Sequence, residues 1–72
     1  MGSPTEPLVG VVREQLPSAL YRVEIDGRHT VTAHIADRLR RNFIRLLVGD
    51  KVQVELTPGD RTRGRIVARI SQ

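Results

Sequence analysis

The sequence predicts an all-β fold, a five-stranded Greek-key barrel with a short helix between the third and fourth strands. Three observations carry that expectation. Apolar and polar residues alternate with the two-residue period of half-buried strands in "LYRVEIDG", "RHTVTAHI" and "KVQVELT". The period changes once, to that of a helix, over about residues 36–43. Finally, a single sheet built from 72 residues would leave two edges and one apolar face in water, and closure removes both problems.

Each element follows from its residues. Residues 1–7, "MGSPTEP", have two prolines and no periodicity, and are expected to form a flexible N-terminal tail before a domain spanning 8–70. "LVGVVREQLP" reads as a first strand, with Gly10 marking a bulge or a sharp bend inside it, as at a barrel corner. Pro17-Ser18 makes a turn. In the second strand Tyr21, Val23 and Ile25 alternate with Arg22, Glu24 and Asp26. Asp26-Gly27 signals a tight hairpin, because both residue types tolerate positive φ. The return strand sets Val31, Ala33 and Ile35 on one face and Thr30, Thr32 and His34 on the other.

Ile35, Leu39, Phe43 and Leu46 then fall within one quadrant of a helical wheel, with Arg38, Arg41 and Arg45 opposite and Arg40 at the stripe's edge. "VGD" at 48–50 is a turn. Val52, Val54 and Leu56 point inward from the fourth strand, "PGD" at 58–60 begins a loop running into "RTRG", and "RIVARI" is the last strand. This order of elements is that of the OB-fold. An SH3-like barrel is the main rival, but it does not usually place a helix after its third strand.

Twelve Lys+Arg against eight Asp+Glu give a net charge of +4, and eleven of the twelve cations are arginine. Arginine's planar fork grips phosphate bidentately and stacks on bases, so clustered arginine in a chain this basic points to nucleic acid. No cysteine is present, which fits a reducing compartment and rules out disulfide staples. No apolar run reaches the roughly 18 residues of a membrane span, and the opening residues have no secretory-signal pattern. A cytoplasmic protein without a membrane partner is therefore expected.

Catalysis is poorly supported. There is no cysteine nucleophile, Gly-rich phosphate loop or HExxH motif. His29 and His34 have opposite parity on one strand and would not converge on a metal. Glu24 and Asp26 share their face with Arg22, as ordinary strand-surface charge does. We expect no enzyme, no cofactor and no metal.

Positive charge instead collects in two segments, 38–45 and "RTRGRIVAR" at 61–69, with Lys51 between them. Tyr21 and Phe43 both fall on apolar faces, leaving no aromatic platform for stacking successive bases. That disfavours a cold-shock-type reader of extended strands and favours folded RNA held by shape, phosphate contact and arginine stacking. The guanidinium groups of the two segments are expected to converge on one patch. A general single-stranded RNA chaperone, and an interaction module for an acidic protein, are the alternatives.

"GVVREQLPSALYRVEIDG", "TAHIADRLRRNFIRLLVGDKVQVELTPGD" and "RGRIVARI" together resemble bacterial translation initiation factor one over about Gly10 to Arg69. The most specific stretches are Thr32-Ala33-His34-Ile35, Leu39-Arg40-x-Asn42-Phe43-Ile44-Arg45, Gly49-Asp50-Lys51-Val52 and Gly64-Arg65-Ile66-Val67. The resemblance implies an OB-fold and a monomeric, non-enzymatic factor. Such a factor would sit in the aminoacyl-tRNA site of the small ribosomal subunit and work with the other two initiation factors. It would occupy the decoding centre and hold that centre's mobile adenines away from their usual stack. By the same likeness Arg40, Arg41 and Arg45 fall on one rRNA-contacting segment, Arg63, Arg65 and Arg69 on a second, and His34 near the same surface, with Arg38 and Lys51 added at the margins.

Four departures stand out: Gly59 in place of a usual tyrosine, Ala68 in place of a common aromatic, Asp37 in place of a frequent glycine, and a tail without the usual Lys- and Glu-rich opening. The first two remove stacking or packing area.

Overall fold

The computed structural model describes residues 7–27, 29–37, 39 and 45–70. Five strands run in the order β1 (Leu8–Leu16), β2 (Leu20–Ile25), β3 (His29–Ile35), β4 (Lys51–Thr57) and β5 (Asp60–Arg69). They close into a barrel with neighbours β1-β2-β3-β5-β4, the last returning to β1. All pairings are antiparallel except β3 with β5, which is parallel. This is the expected five-stranded Greek-key OB-fold. The helix expected over 36–43, including Phe43, lies mostly outside the described residues, as does the tail except Pro7. Leu39 N–H donates to the Ala36 carbonyl at 3.0 Å.

The alternating faces behave as the two-residue period requires. Tyr21, Val23, Ile25, Val31, Ala33, Ile35, Val52, Val54 and Ile66 are buried, and Leu39 and Leu46 join them from the connection between β3 and β4. Leu56 packs against this core only partly buried. Asp26 and Gly27 both take positive φ, 61° and 73°, and the β2–β3 register continues unbroken from Ile25 opposite His29. Asp50 secures the entry to β4. Its carboxylate accepts from Leu47 N–H at 2.9 Å, its own N–H donates to the Leu47 carbonyl, and its carbonyl accepts from Val12 N–H.

Of the two readings of Gly10, the bend at a barrel corner holds and the bulge does not. The bulge in β1 lies between Val12 and Glu14, not at Gly10. Gly10 instead belongs to the short stretch of β1 that pairs with both β2 and β4, the barrel's corner. A Cβ there would stand 2.6 Å from Val23 Cγ1, so the corner closes only on a residue without one. One expectation needs correction, at 61–64. These residues are strand, not loop, and β5 begins at Asp60 directly after the Pro58-Gly59 turn. Backbone pairing to β3 and β4 outweighs the weak strand propensity of "RTRG".

Gly64 is the tightest point of closure. A Cβ at this position would lie 2.8 Å from the Glu55 carbonyl oxygen and 2.8 Å from Val54 Cγ1. Gly64→Ala should therefore cost at least about 1–3 kcal/mol of stability, as overpacking against backbone does. Urea unfolding measures it, and an unchanged midpoint would contradict the close approach. The β1–β2 turn carries the opposite defect. Ala19 sits at φ 59° beside Ser18 at 65°, a conformation that costs an L-residue about 1–2 kcal/mol. Ala19→Gly should raise stability by about 0.5–1 kcal/mol in the same assay, the relief being partly offset by a freer unfolded chain.

Candidate nucleic-acid interface

The parallel β3–β5 ladder builds the best-defined polar surface. Its register sets Thr32 opposite Arg63 and His34 opposite Arg65, while Ala33 and Gly64 face the interior between them. Residues some thirty positions apart thus share one outward seam, brought together only by barrel closure. His34 is exposed, and so are Arg63 and Arg65. Two open hollows meet at His34. One, of about 230 Å³, lies between His34, Arg65, Glu55, Thr57 and Pro58. The other, of about 620 Å³, extends past Thr32, Thr62 and Arg63 to Leu20 beside the β1–β2 turn.

Carboxylates temper the charge here. Glu55, opposite Arg65 on β4, accepts from its Nη2 at 2.9 Å. Arg63 Nε stands 3.8 Å from Asp60 Oδ2. Both pairs are solvent-exposed, a class of ion pair worth only about 0–1 kcal/mol, so either arginine can exchange its carboxylate for a phosphate at small cost. Elsewhere on the barrel Arg13 pairs with Glu24 at 2.6 Å and Arg22 with Glu14 at 3.1 Å. His29 is engaged structurally, with Nε2 2.7 Å from the Arg61 carbonyl oxygen.

Arg45 and Arg69 form a second group at the far end of β5. The β4–β5 register shifts between Gln53 and Val54, leaving Val67 as an extra residue on β5. This bulge puts Arg69 opposite Val52, on the ladder side that faces the barrel's open end. From there its Nη1 donates to the Arg45 carbonyl at 3.2 Å and ties down the connection that precedes β4. Lys51 opens β4 beside them, exposed, its carbonyl accepting from Ile70 N–H at 2.7 Å. About 13 Å of strand separates Arg65 from Arg69, at ~3.3 Å per residue. Arg63 and Arg65 on the seam are thus apart from Arg69 and Lys51 at the end of β5, and Arg13, Arg22 and Arg61 belong to neither place. Arg38, Arg40 and Arg41 lie outside the described residues.

Sequence reasoning overlooked Glu55, Thr57 and Thr62 as neighbours of the arginines. For Glu55 the signal was available, since its outward parity in "KVQVELT" puts it on the face of β5's charged side chains. Among the described residues no group of three or more His, Cys, Asp or Glu could hold a metal ion, and no helix is long and apolar enough to cross a membrane.

A closed five-stranded barrel with one parallel closure and exposed arginines along it defines a small OB-fold module. The comparisons with known proteins sharpen that class. The family model for translation initiation factor 1A / IF-1 matches residues 3–72, and the chain belongs to that family. The solution structure of translation initiation factor one from the Wolbachia endosymbiont strain TRS of Brugia malayi is similar, with TM-score 0.76 and 34% identity over 96% of this chain and 82% of that one. YjeQ from Thermotoga maritima shares the fold, with TM-score 0.73 at 20% identity over 93% of this chain and 23% of that one. The chain is a translation initiation factor.

Asp60 supplies a local check on the β4–β5 turn. The Thr62 hydroxyl, 2.6 Å from Oδ1, and then the Thr62 N–H, at 2.9 Å, hold its carboxyl below the usual carboxylate range, with Arg63 adding a smaller pull against slight desolvation. A carboxyl depressed in the folded state contributes stability that is present above its unfolded pKa and lost as pH falls through the folded value. Thr62→Val removes the hydroxyl donor, so the Asp60 carboxyl should titrate at higher pH, nearer an ordinary carboxylate, in a carbon-detected NMR titration. An unmoved titration would contradict the assigned cause.

Proposed function

We propose that this factor binds the aminoacyl-tRNA site of the small ribosomal subunit, at the decoding centre, through rRNA contacts, and cooperates there with the other two initiation factors. Residues 8–70 act as the RNA-binding domain, as a monomer in the cytoplasm, with no chemistry and no cofactor of their own. The observation that carries the reading is the β3–β5 seam in a member of this family, where His34, Arg63 and Arg65 stand side by side beside open hollows. Two guanidinium forks there suit phosphate oxygens, and the hollows offer space for a base that has left its stack.

In this reading Arg40, Arg41 and Arg45, with Arg38, supply the second set of rRNA contacts. Lys51 and Arg69 support them near the barrel's end. Affinity then comes chiefly from phosphate neutralisation and specificity from the shape of the folded RNA. If about six phosphates are neutralised, log K should fall against log salt with a slope between roughly −4 and −5.

The test is the double substitution Arg63→Ala with Arg65→Ala. Thermal stability should stay within about ±0.5 kcal/mol, because both side chains are exposed. Binding to isolated small subunits should weaken by about 1 kcal/mol or more per lost charge-assisted contact, with a shallower salt slope. Unchanged binding would remove the seam from the interface. Unstructured single-stranded RNA competing as well as the subunit would instead favour a chaperone of cold-shock type.

A further inference from the structure

Each seam arginine has a carboxylate beside it, which a surface built only to attract phosphate would not need. The two carboxylates differ. Asp60 Oδ1 accepts from both the Thr62 hydroxyl and the Thr62 N–H, so it is committed to the β4–β5 turn, and Arg63 Nε stands 3.8 Å from its other oxygen. Glu55 lies within β4 and has no turn to hold. Its hydrogen-bond partner among the described residues is Arg65, whose Nη2 donates to Oε1 at 2.9 Å.

The register sets where that carboxylate stands. His34 on β3 lies opposite Arg65 from one side and Glu55 on β4 from the other, so the three form one outward row with the guanidinium in the middle. All three line the hollow of about 230 Å³. The Glu55 side chain is 27% exposed against 52% for Arg65, so the carboxylate is the more enclosed of the two.

A phosphate taken by Arg65 would come to rest beside the Glu55 carboxylate, like charge against like. Exposure to solvent keeps that repulsion modest, and a hydrogen-bond donor between the two reverses its sign. Base amines lie on the groove edges, whereas the ribose 2′-hydroxyl adjoins the backbone and can donate. Carboxylates hold that same hydroxyl in dinucleotide-binding folds. An adjacent guanidinium and carboxylate therefore match an adjacent phosphate and 2′-hydroxyl, a pair that RNA carries along its backbone and DNA lacks.

We propose, on the reading that the seam contacts rRNA, that Glu55 is a specificity-determining residue. It accepts a hydrogen bond from a ribose 2′-hydroxyl in the hollow while Arg65 takes the neighbouring phosphate. Without the hydroxyl, the carboxylate faces the phosphate with no donor between them, so DNA is rejected by repulsion as well as by a lost contact.

The experiment is an amide-resolved NMR titration of the full chain with a synthetic RNA hairpin containing an internal loop, and with the same sequence as 2′-fluoro RNA. The fluorinated strand keeps the A-form sugar geometry and the phosphates but removes the donor. The RNA should bind at least about fivefold more tightly than its fluorinated counterpart, moving the amides of His34, Glu55 and Arg65. In Glu55→Ala the ratio should fall to about one, whereas Glu24→Ala, the same charge change at the Arg13 pair, should preserve it. Loss of Arg65 positioning alone would weaken both ligands alike and leave the ratio standing. Equal binding of the two hairpins by the unsubstituted chain, a ratio that survives Glu55→Ala, or no saturable binding of the RNA would overturn the proposal. Should Glu55→Ala unfold, the two hairpins with the unsubstituted chain decide alone. The double substitution Arg63→Ala with Arg65→Ala separates the two levels. If it binds the RNA hairpin and small subunits undiminished, the seam is not the interface and the role of Glu55 falls with it. If it binds both more weakly while the unsubstituted chain treats the two hairpins equally, the seam stands and the Glu55 assignment alone fails.

Discussion

Barrel closure through the parallel pairing of β3 with β5 is the constraint on which the rest depends. A chain this short buries only about 60% of the surface its unfolded form exposes, and here no disulfide supplements the core. Without that ladder the sheet would present two open edges, and Ile35 and Ile66, opposite each other in its last register step, would lose their cover. The same ladder is what sets His34 beside Arg65 and Thr32 beside Arg63. Stability and the polar seam thus arise from one set of hydrogen bonds, and a change that loosens closure, at Gly64 above all, would disturb both.

The elements most legible in the sequence were those whose two faces differ in polarity. β2, β3 and β4 alternate cleanly, and their inward sets, from Tyr21 to Val54, are the ones buried. The Asp26-Gly27 turn was equally plain, because positive φ at both positions restricts the residue types. β5 was only half legible. Its first residues, Arg61 to Gly64, offer no apolar alternation, since Gly64 fills the single inward position and has no side chain to show for it. What identifies that stretch as strand is pairing to partners distant in the chain, which a local pattern does not contain.

The candidate site was legible in composition more than in arrangement. Eleven arginines against one lysine suit the phosphate contacts proposed for this factor. Parity alone, however, assigns Arg65 and Arg69 to one face, and the extra residue at Val67 overturns that assignment. Past the bulge Arg69 turns toward the barrel's end and donates a guanidinium hydrogen bond to the Arg45 carbonyl. One inserted residue thereby splits arginines of a single parity into a seam group and an end group. The bulge leaves no mark in "GRIVARI", where both valine and isoleucine suit a buried strand.

This split follows from how a closed barrel divides its surface. A side chain on a closed barrel faces one of a few walls, and strand order decides which walls adjoin. β5 adjoins β3 on one side and β4 on the other, and its pairing with β3 ends at Ile66, so its outward residues belong to the polar seam before the bulge and to the β4 side after it. Ala68 faces outward because Val67 is out of step; with an unbroken ladder, Val67 would stand opposite Gln53, Ala68 would point into the core opposite Val52, and Arg69 would face outward opposite Lys51. That would set a guanidinium directly beside the Lys51 ammonium, like charge against like. The irregularity at Val67 therefore keeps Arg69 from standing against Lys51 and returns it to the connection it anchors, and the seam arginines and Arg69 are separated by backbone geometry, not by distance in the sequence.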